Sequence, residues 1–317
     1  DTLTFHAQLA TLAAHGHAIA APEDGRIVDV PRAPWRHERH WVDLSARTSG
    51  GRDEHPLLGA HVEMPGEERH AWRADVGLAA QPWLSGLTVH GLHTLPVSAF
   101  AEMAVAAGAI ALGTEDVRVN TLWVERPLAL AEHTTVTTTF GEAEQRVEVH
   151  ALTPAGTWVR LASADVGEDR GGPATSAADG PAVEVAGAER GSRHYRLHPE
   201  VFDRCLAVLS DEASALDEGV WRAETIGSLR VFGPTHRGGH VRATVAWDEE
   251  EMRGSVALLA ADGQVLAEAT GIVLRRVERH DIPVPVADKL VEHVWDEAPL
   301  PEAEASAEGT WLILAEE

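Results

Sequence analysis

One cysteine, Cys205, in 317 residues rules out a disulfide framework and a thiolate metal cluster. Cationic residues are also scarce, with 26 Lys and Arg against 50 Asp and Glu and a formal charge of −24. Phosphate backbones are held by clustered positive charge, so nucleic-acid binding is excluded as a function class, and the acidic surface reads as a solubility device. No run approaches the roughly 18–20 apolar residues of a membrane span. The opening "DTLTFHAQLATLAAHGHAIA" lacks the charged start and clean apolar block of a signal peptide. Together with the lone cysteine, this fits a reducing cytoplasm. No glycine-rich loop follows a strand, which leaves nucleotide binding without support. Histidines are plentiful, but no i, i+4 pair is backed by a carboxylate. "HGH" at 15–17 and "RHERH" at 36–40 fall in segments expected to be exposed, so no metal site is expected.

What the chain does have is 44% hydrophobic residues, ample for a core. Residues 3–20 carry Leu3, Phe5, Leu9, Leu12 and Ala13 at helical spacing. "VDVPRAPWRHERHWVDL" is extended and proline-punctuated, with Trp35 and Trp41 as anchors, and "SARTSGGRDE" reads as a linker. A boundary therefore falls near residue 52. Residues 53–166 read as β-rich around one helix, "VSAFAEMAVAAGAIALG", whose apolar spacing runs from Val97 to Ile110 and which Gly113 can cap. Residues 167–192 are rich in Gly, Ala, Ser and Pro and are expected to be a flexible linker. Helix-then-strands order returns over 193–282, with "HPEVFDRCLAVLS" as the helix and "ADGQ" as a hairpin turn. The repeated order suggests a duplication and an α+β architecture. Residues 283–317 end in "EGTWLILAEE", a buried-strand signal with nothing after it, and the chain reads as a piece of a longer polypeptide.

Four stretches carry a resemblance: "HPLLGAHVEMPG", "WLSGLTVHGLHTLPVSAFAEMA", "LHPEVFDRCLAV" and "GQVLAEATGIVLRRV". In that order they resemble the dehydratase domain of a modular type I polyketide synthase. The resemblance implies a double hot-dog fold, here with a second half expected to be truncated. Residues 1–52 look like a post-acyltransferase linker, and residues 283–317 like a linker with the first strand of a ketoreductase subdomain. The implied reaction removes water from a β-hydroxyacyl chain held on the phosphopantetheine of an acyl carrier protein, with no cofactor in the domain itself. The implied partners are that carrier protein, the neighbouring acyltransferase and ketoreductase domains, and a second copy in a homodimer.

The family's chemistry uses a His in His-x-x-x-Gly-x-x-x-x-Pro as base and an Asp in Asp-x-x-x-Gln/His as acid. Such a pair needs a neutral imidazole and a carboxyl whose pKa burial has raised. Gly91 and Pro96 stand at the first pattern's spacing and fix the base position at Leu87, an alkyl side chain. The preceding acidic position is Gly86, and Val97 replaces the glycine after the proline. In the second pattern Asp203 is kept behind His198 and Pro199, but Ala207 stands where Gln or His is expected. The family's aromatic-Gly-x-x-Phe segment is not found.

His90 and His93 are the candidates for a substitute base. With residues 87–91 read as extended, His90 faces away from position 87. His93 shares its parity but lies about 20 Å further on, and a base must come within about 3 Å of its proton or act through one water. The expected function is a dehydratase-like domain that has lost dehydration and serves as spacer and dimer scaffold. Two alternatives stay open: an active hydro-lyase with an unidentified base, and an acyl-binding pocket or isomerase variant using Asp203 alone. Cys205 reads as a small core residue and His198 as a structural hydrogen-bonder.

Overall fold

The computed structural model describes residues 2–17, 55–63, 69–153, 156–172, 180–188, 194–248 and 251–282. The chain divides into two units, Asp1–Val42 and Asp43–Glu317. Within the first, α1 (Thr2–Ala14) is shorter than the 3–20 periodicity predicts, and Leu3, Phe5 and Leu12 are exposed. Trp35, Trp41, the linker at 45–54 and the whole of 283–317 lie outside the described residues.

The second unit is built on a duplicated plan. The first half contains β1 (Ala60–Glu63), β2 (Arg69–Asp75), the short strands β3 (Thr88–Val89) and β4 (Leu92–His93), and α2 (Val97–Leu112). It continues with β5 (Val117–Val124), β6 (Thr135–Gly141), β7 (Arg146–Leu152) and β8 (Trp158–Glu168). The second half contains β9 (Ala182–Ala186), α3 (Pro199–Leu216), β10 (Trp221–Ile226) and β11 (Ser228–Val231), then β12 (Gly238–Asp248), β13 (Glu251–Leu259) and β14 (Val265–Arg276). All but β3 and β4 join one 12-stranded antiparallel sheet. Outward from the seam, where β10 and β11 pair with β5, the order is β5-β8-β7-β6-β2-β1 on one side and β14-β13-β12-β9 on the other. This is the double hot-dog, each half a helix wrapped by an antiparallel sheet.

The sequence explains the wrapping. Pro96 closes the extended approach and opens α2, and Gly113, at φ 65°, ends it with its N–H on the Ala109 carbonyl. Every residue from Ser98 to Ala109 is buried, as befits a helix enclosed on all sides. Gly108 sets the closest approach, since a Cβ there would lie 2.3 Å from Val166 Cγ1. Towards the end of the helix, Ile110 is exposed although its spacing placed it on the buried face.

Two expectations are corrected. The segment 167–192 is not linker throughout, because Ala182–Ala186 pairs with β12 over five residues as the outer strand of the second half. Nor is the second half short, since it holds one helix and six strands, β9 occupying the place that β2 has in the first. Strand formation at 182–186 comes from ladder pairing, with Val185 alone buried. Among the described residues, no helix is long and apolar enough to cross a membrane.

Candidate active site

Position 87 is set by three local devices. A 3₁₀ turn (Pro82–Gly86) ends at Leu87, whose N–H donates to the Leu84 carbonyl. The chain then forms the β3–β4 hairpin, pairing Thr88 with His93 and Val89 with Leu92. The two turn residues, His90 at φ 50° and Gly91 at φ 77°, both take the left-handed conformation that a tight two-residue hairpin demands. Gln81, almost fully buried, anchors the start of this segment. It donates to the Pro56 carbonyl and accepts from Trp83 Nε1 and the Tyr195 hydroxyl.

The hairpin overturns the extended reading of 87–93. His93 is not about 20 Å away: its Nδ1 lies 3.3 Å from the Leu87 carbonyl oxygen. Reversal also inverts the parity, so that His93 shares the face of its partner Thr88, and Leu87 shares that of Thr94. Leu87 and Thr94 line a cavity of about 1480 Å³, whereas neither His90 nor His93 is on its wall. His90 donates from Nε2 to the Val277 carbonyl at 2.7 Å and so ties the hairpin tip to the end of β14.

The facing wall comes from α3. Asp203 and Ala207 lie one turn apart on it, and both line the same cavity as Leu87. The Ser98 hydroxyl, in the first turn of α2, lies 3.5 Å from Asp203 Oδ1. Burial pushes the Asp203 carboxyl up to about 6, with the charge of Arg222, the Ser98 hydroxyl and Arg204 pulling the other way. His198, buried at the N-cap of α3, packs edge-on to Tyr195 at 4.9 Å, and its backbone N–H donates to Thr235 Oγ1. Pro199 opens the helix at N1, as proline favours. Burial raises the Cys205 thiol pKa and keeps it inert.

Sequence reasoning missed three groups around the cavity. Arg222 on β10 lines it, as does its cross-strand neighbour Arg275. His133, on the connection into β6, is the third, and its Nδ1 donates to Asp75 Oδ2 at 2.7 Å. Burial raises the Asp75 carboxyl, but His133 and the N–H groups of Gly77 and Thr134 outweigh it and hold the pKa low. None of these carries a sequence signature. Arg222 is simply the one basic residue in "WRAETI". Among the described residues, no group of three or more His, Cys, Asp and Glu is placed to hold a metal.

The raised pKa of Asp203 makes it a cost to stability at neutral pH. A carboxyl whose folded pKa is about 6, against about 3.9 when unfolded, stabilises the fold below the lower value. That contribution is lost as pH rises through the upper one. Asp203→Asn is therefore expected to stabilise the domain by about 1–3 kcal/mol at pH values well above 6, with no gain in acid. Paired urea titrations across that range would measure it, and a gain that does not depend on pH would refute the assignment.

The site is thus an apolar-walled cavity shared by two hot-dog halves, with a carboxyl raised by burial on one wall. The family model "polyketide synthase dehydratase domain" matches residues 55–153, and "polyketide synthase dehydratase N-terminal domain" matches 157–282. The chain belongs to the dehydratase domains of polyketide synthases. It is 33% identical over its whole length to a phenolphthiocerol/phthiocerol polyketide synthase of Mycobacterium tuberculosis. It is 27% identical, over 96% of its length, to the phthioceranic/hydroxyphthioceranic acid synthase of Mycobacterium bovis. The chain spans about a fifth of the length of these multidomain relatives (21% and 17%). In fold it is similar to the dehydratase domain of the polyketide PpsC from Mycobacterium tuberculosis, with TM-score 0.62 and 22% identity, covering 71% of this chain and 99% of that one. The dehydratase domain of a mycocerosic acid synthase-like polyketide synthase matches at TM-score 0.63 and 24% identity, covering 71% and 98%.

Proposed function

We propose that this is a dehydratase-like domain that no longer dehydrates but keeps a cavity for the β-hydroxyacyl chain. The observation that carries the reading is Leu87, an alkyl group at the family's base position on the cavity wall, with Asp203 on the same cavity. A carboxyl can protonate a leaving hydroxyl, but elimination also needs a group to take the α-proton, and leucine cannot. The parent module would pass its β-hydroxyacyl chain on unchanged. The chain would arrive on the phosphopantetheine of an acyl carrier protein, and the domain itself would need no cofactor. Between acyltransferase and ketoreductase regions of a cytoplasmic synthase, it would act as spacer and homodimer scaffold.

The test is mass spectrometry of a β-hydroxyacyl–carrier protein incubated with the domain. The expected result is an unchanged acyl mass with the β-hydroxyl retained.

One observation favours a second reading, an active hydro-lyase. His133 lines the cavity and is oriented by Asp75, as a general base would be. It ranks second because its side chain is 61% exposed, and because Thr94, which shares the face of Leu87, bridges Ala129 rather than His133. Water loss by the unmodified domain that disappears in His133→Phe would reverse this ranking.

A further inference from the structure

His90 is off the cavity wall, yet it is a costly residue to place where it is. The turn demands left-handed backbone, which Gly and Asn adopt at least cost, and a histidine holds φ 50° there against its own preference. The imidazole supplies an offsetting interaction. Its Nε2 meets the Val277 carbonyl at 2.7 Å, across 187 positions of sequence. Since a carbonyl can only accept, the proton sits on Nε2.

Val277 is where the chain leaves β14, which ends at Arg276. It is held on both sides, its N–H donating to the Val220 carbonyl at 2.8 Å and its carbonyl accepting from His90. The chain then folds into the short 3₁₀ turn Arg279–Asp281, closed by a capping box in which the Glu278 N–H donates to Asp281 Oδ2 at 2.8 Å. That turn delivers Ile282, which is buried, to the cavity. Val277, Asp281 and Ile282 thus form a strap along the same cavity that residues 86–89 and 94–97 line from the first half. Among the described residues, no hydrogen bond other than that of His90 joins strap to hairpin.

We infer that His90 is a positioning latch, which fixes the strap 277–282 to the hairpin carrying position 87 and so couples two segments of the cavity wall. Opening the latch frees both segments at once. A displacement of the strap is passed through the imidazole to a two-residue turn, and from there to Leu87, which lies beside that turn in the hairpin. Residues 283–317 continue directly from Ile282, so a pull on that stretch of chain reaches the cavity wall by this route. The coupling is a property of the wall and holds whether or not the cavity dehydrates.

The experiment is amide hydrogen exchange, read by mass spectrometry on the 317-residue chain, in peptides covering the hairpin at 87–94 and the strap at 277–282. His90→Gly removes the donor and the left-handed penalty together. It should speed exchange in both peptides roughly fivefold to tenfold, the worth of one hydrogen bond, while the urea midpoint stays near its unmodified value. His90→Gln, whose amide nitrogen can take the place of Nε2, should slow the strap again. Asp281→Ala opens the capping box on the strap and should speed exchange in the hairpin, but should add nothing there once His90 is Gly. A rise confined to the hairpin in His90→Gly, or a hairpin indifferent to Asp281→Ala, overturns the latch. A lowered urea midpoint with faster exchange throughout the chain, in the Gly and Gln variants alike, makes His90 a general support of the fold and overturns it too.

Discussion

Leu87→His is expected to release water from a β-hydroxyacyl–carrier protein at a rate roughly 10²–10⁴ times that of the unmodified domain, the usual worth of a positioned general base. The substitution is local. Leu87 is partly buried against the core and already lines the cavity, and its backbone is fixed by the 3₁₀ turn before it and the His90–Gly91 hairpin after it. An imidazole there faces the same cavity as Asp203. The pH profile should separate true elimination from an artefact. The base must be neutral, which needs a pH above about 6.5 for an ordinary histidine, and the acid must be protonated, which needs a pH below about 6. The two demands overlap in a narrow bell centred near pH 6 and fall roughly tenfold by pH 8, where Asp203 is largely ionised. Adding Asp203→Asn should abolish the gain. Mass spectrometry of the carrier-bound product across a pH series reads all three outcomes. No water loss by Leu87→His from about pH 5 to about pH 8 would show that the silencing extends beyond position 87, to Ala207 or Arg222.

Signals that live in local sequence were legible, and those that depend on partners were not. The enclosed helix α2 could be read from its apolar spacing between Pro96 and Gly113 because helix period and capping are both local. That Leu87 and Asp203 belong to one site, as the cavity they both line shows, could be read because motif spacing survives the loss of a side chain. The reversal at His90–Gly91 could not, because the strong hairpin signals are Asn-Gly and Asp-Gly, and a histidine at positive φ is uncommon. That one omission put His93 in the wrong place by most of a strand's length. Strand β9 was missed for a different reason. "AVEVA" alternates, but it lies in a run of Gly, Ala and Pro, and what orders it is the β12 edge that it completes. Arg222 was invisible because only the fold, which sets β10 and α3 around one cavity, puts it on that wall.

The same dependence on distant partners governs the second large effect, at Glu102. This carboxylate on α2 is fully buried and accepts three hydrogen bonds from two other segments. Its Oε1 receives His55 Nε2 at 2.8 Å and the Arg196 N–H at 2.8 Å, and its Oε2 receives the Leu197 N–H at 2.7 Å. The tautomer of His55 follows from its other nitrogen, since Nδ1 faces the N–H groups of Leu57 and Leu58 and so must accept, leaving the proton on Nε2. Glu102 thus fastens the start of the first half and the approach to α3 onto one helix, and Asp203 is carried by α3. Glu102→Ala would leave three donors unanswered in the interior, each worth about 1–3 kcal/mol when stranded. Water entering the vacated space would recover part of this, so the expected loss is about 3–5 kcal/mol in urea unfolding at unchanged m-value. Glu102→Gln keeps the shape and one acceptor oxygen but turns an NH₂ towards a donor, and should cost about half as much. A loss below about 1 kcal/mol in Glu102→Ala would mean that α2 and α3 are held together by apolar packing alone. Placed in the Leu87→His background, Glu102→Gln should lower the restored rate while the protein remains folded, because the approach to α3 is what holds Asp203 to its side of the cavity.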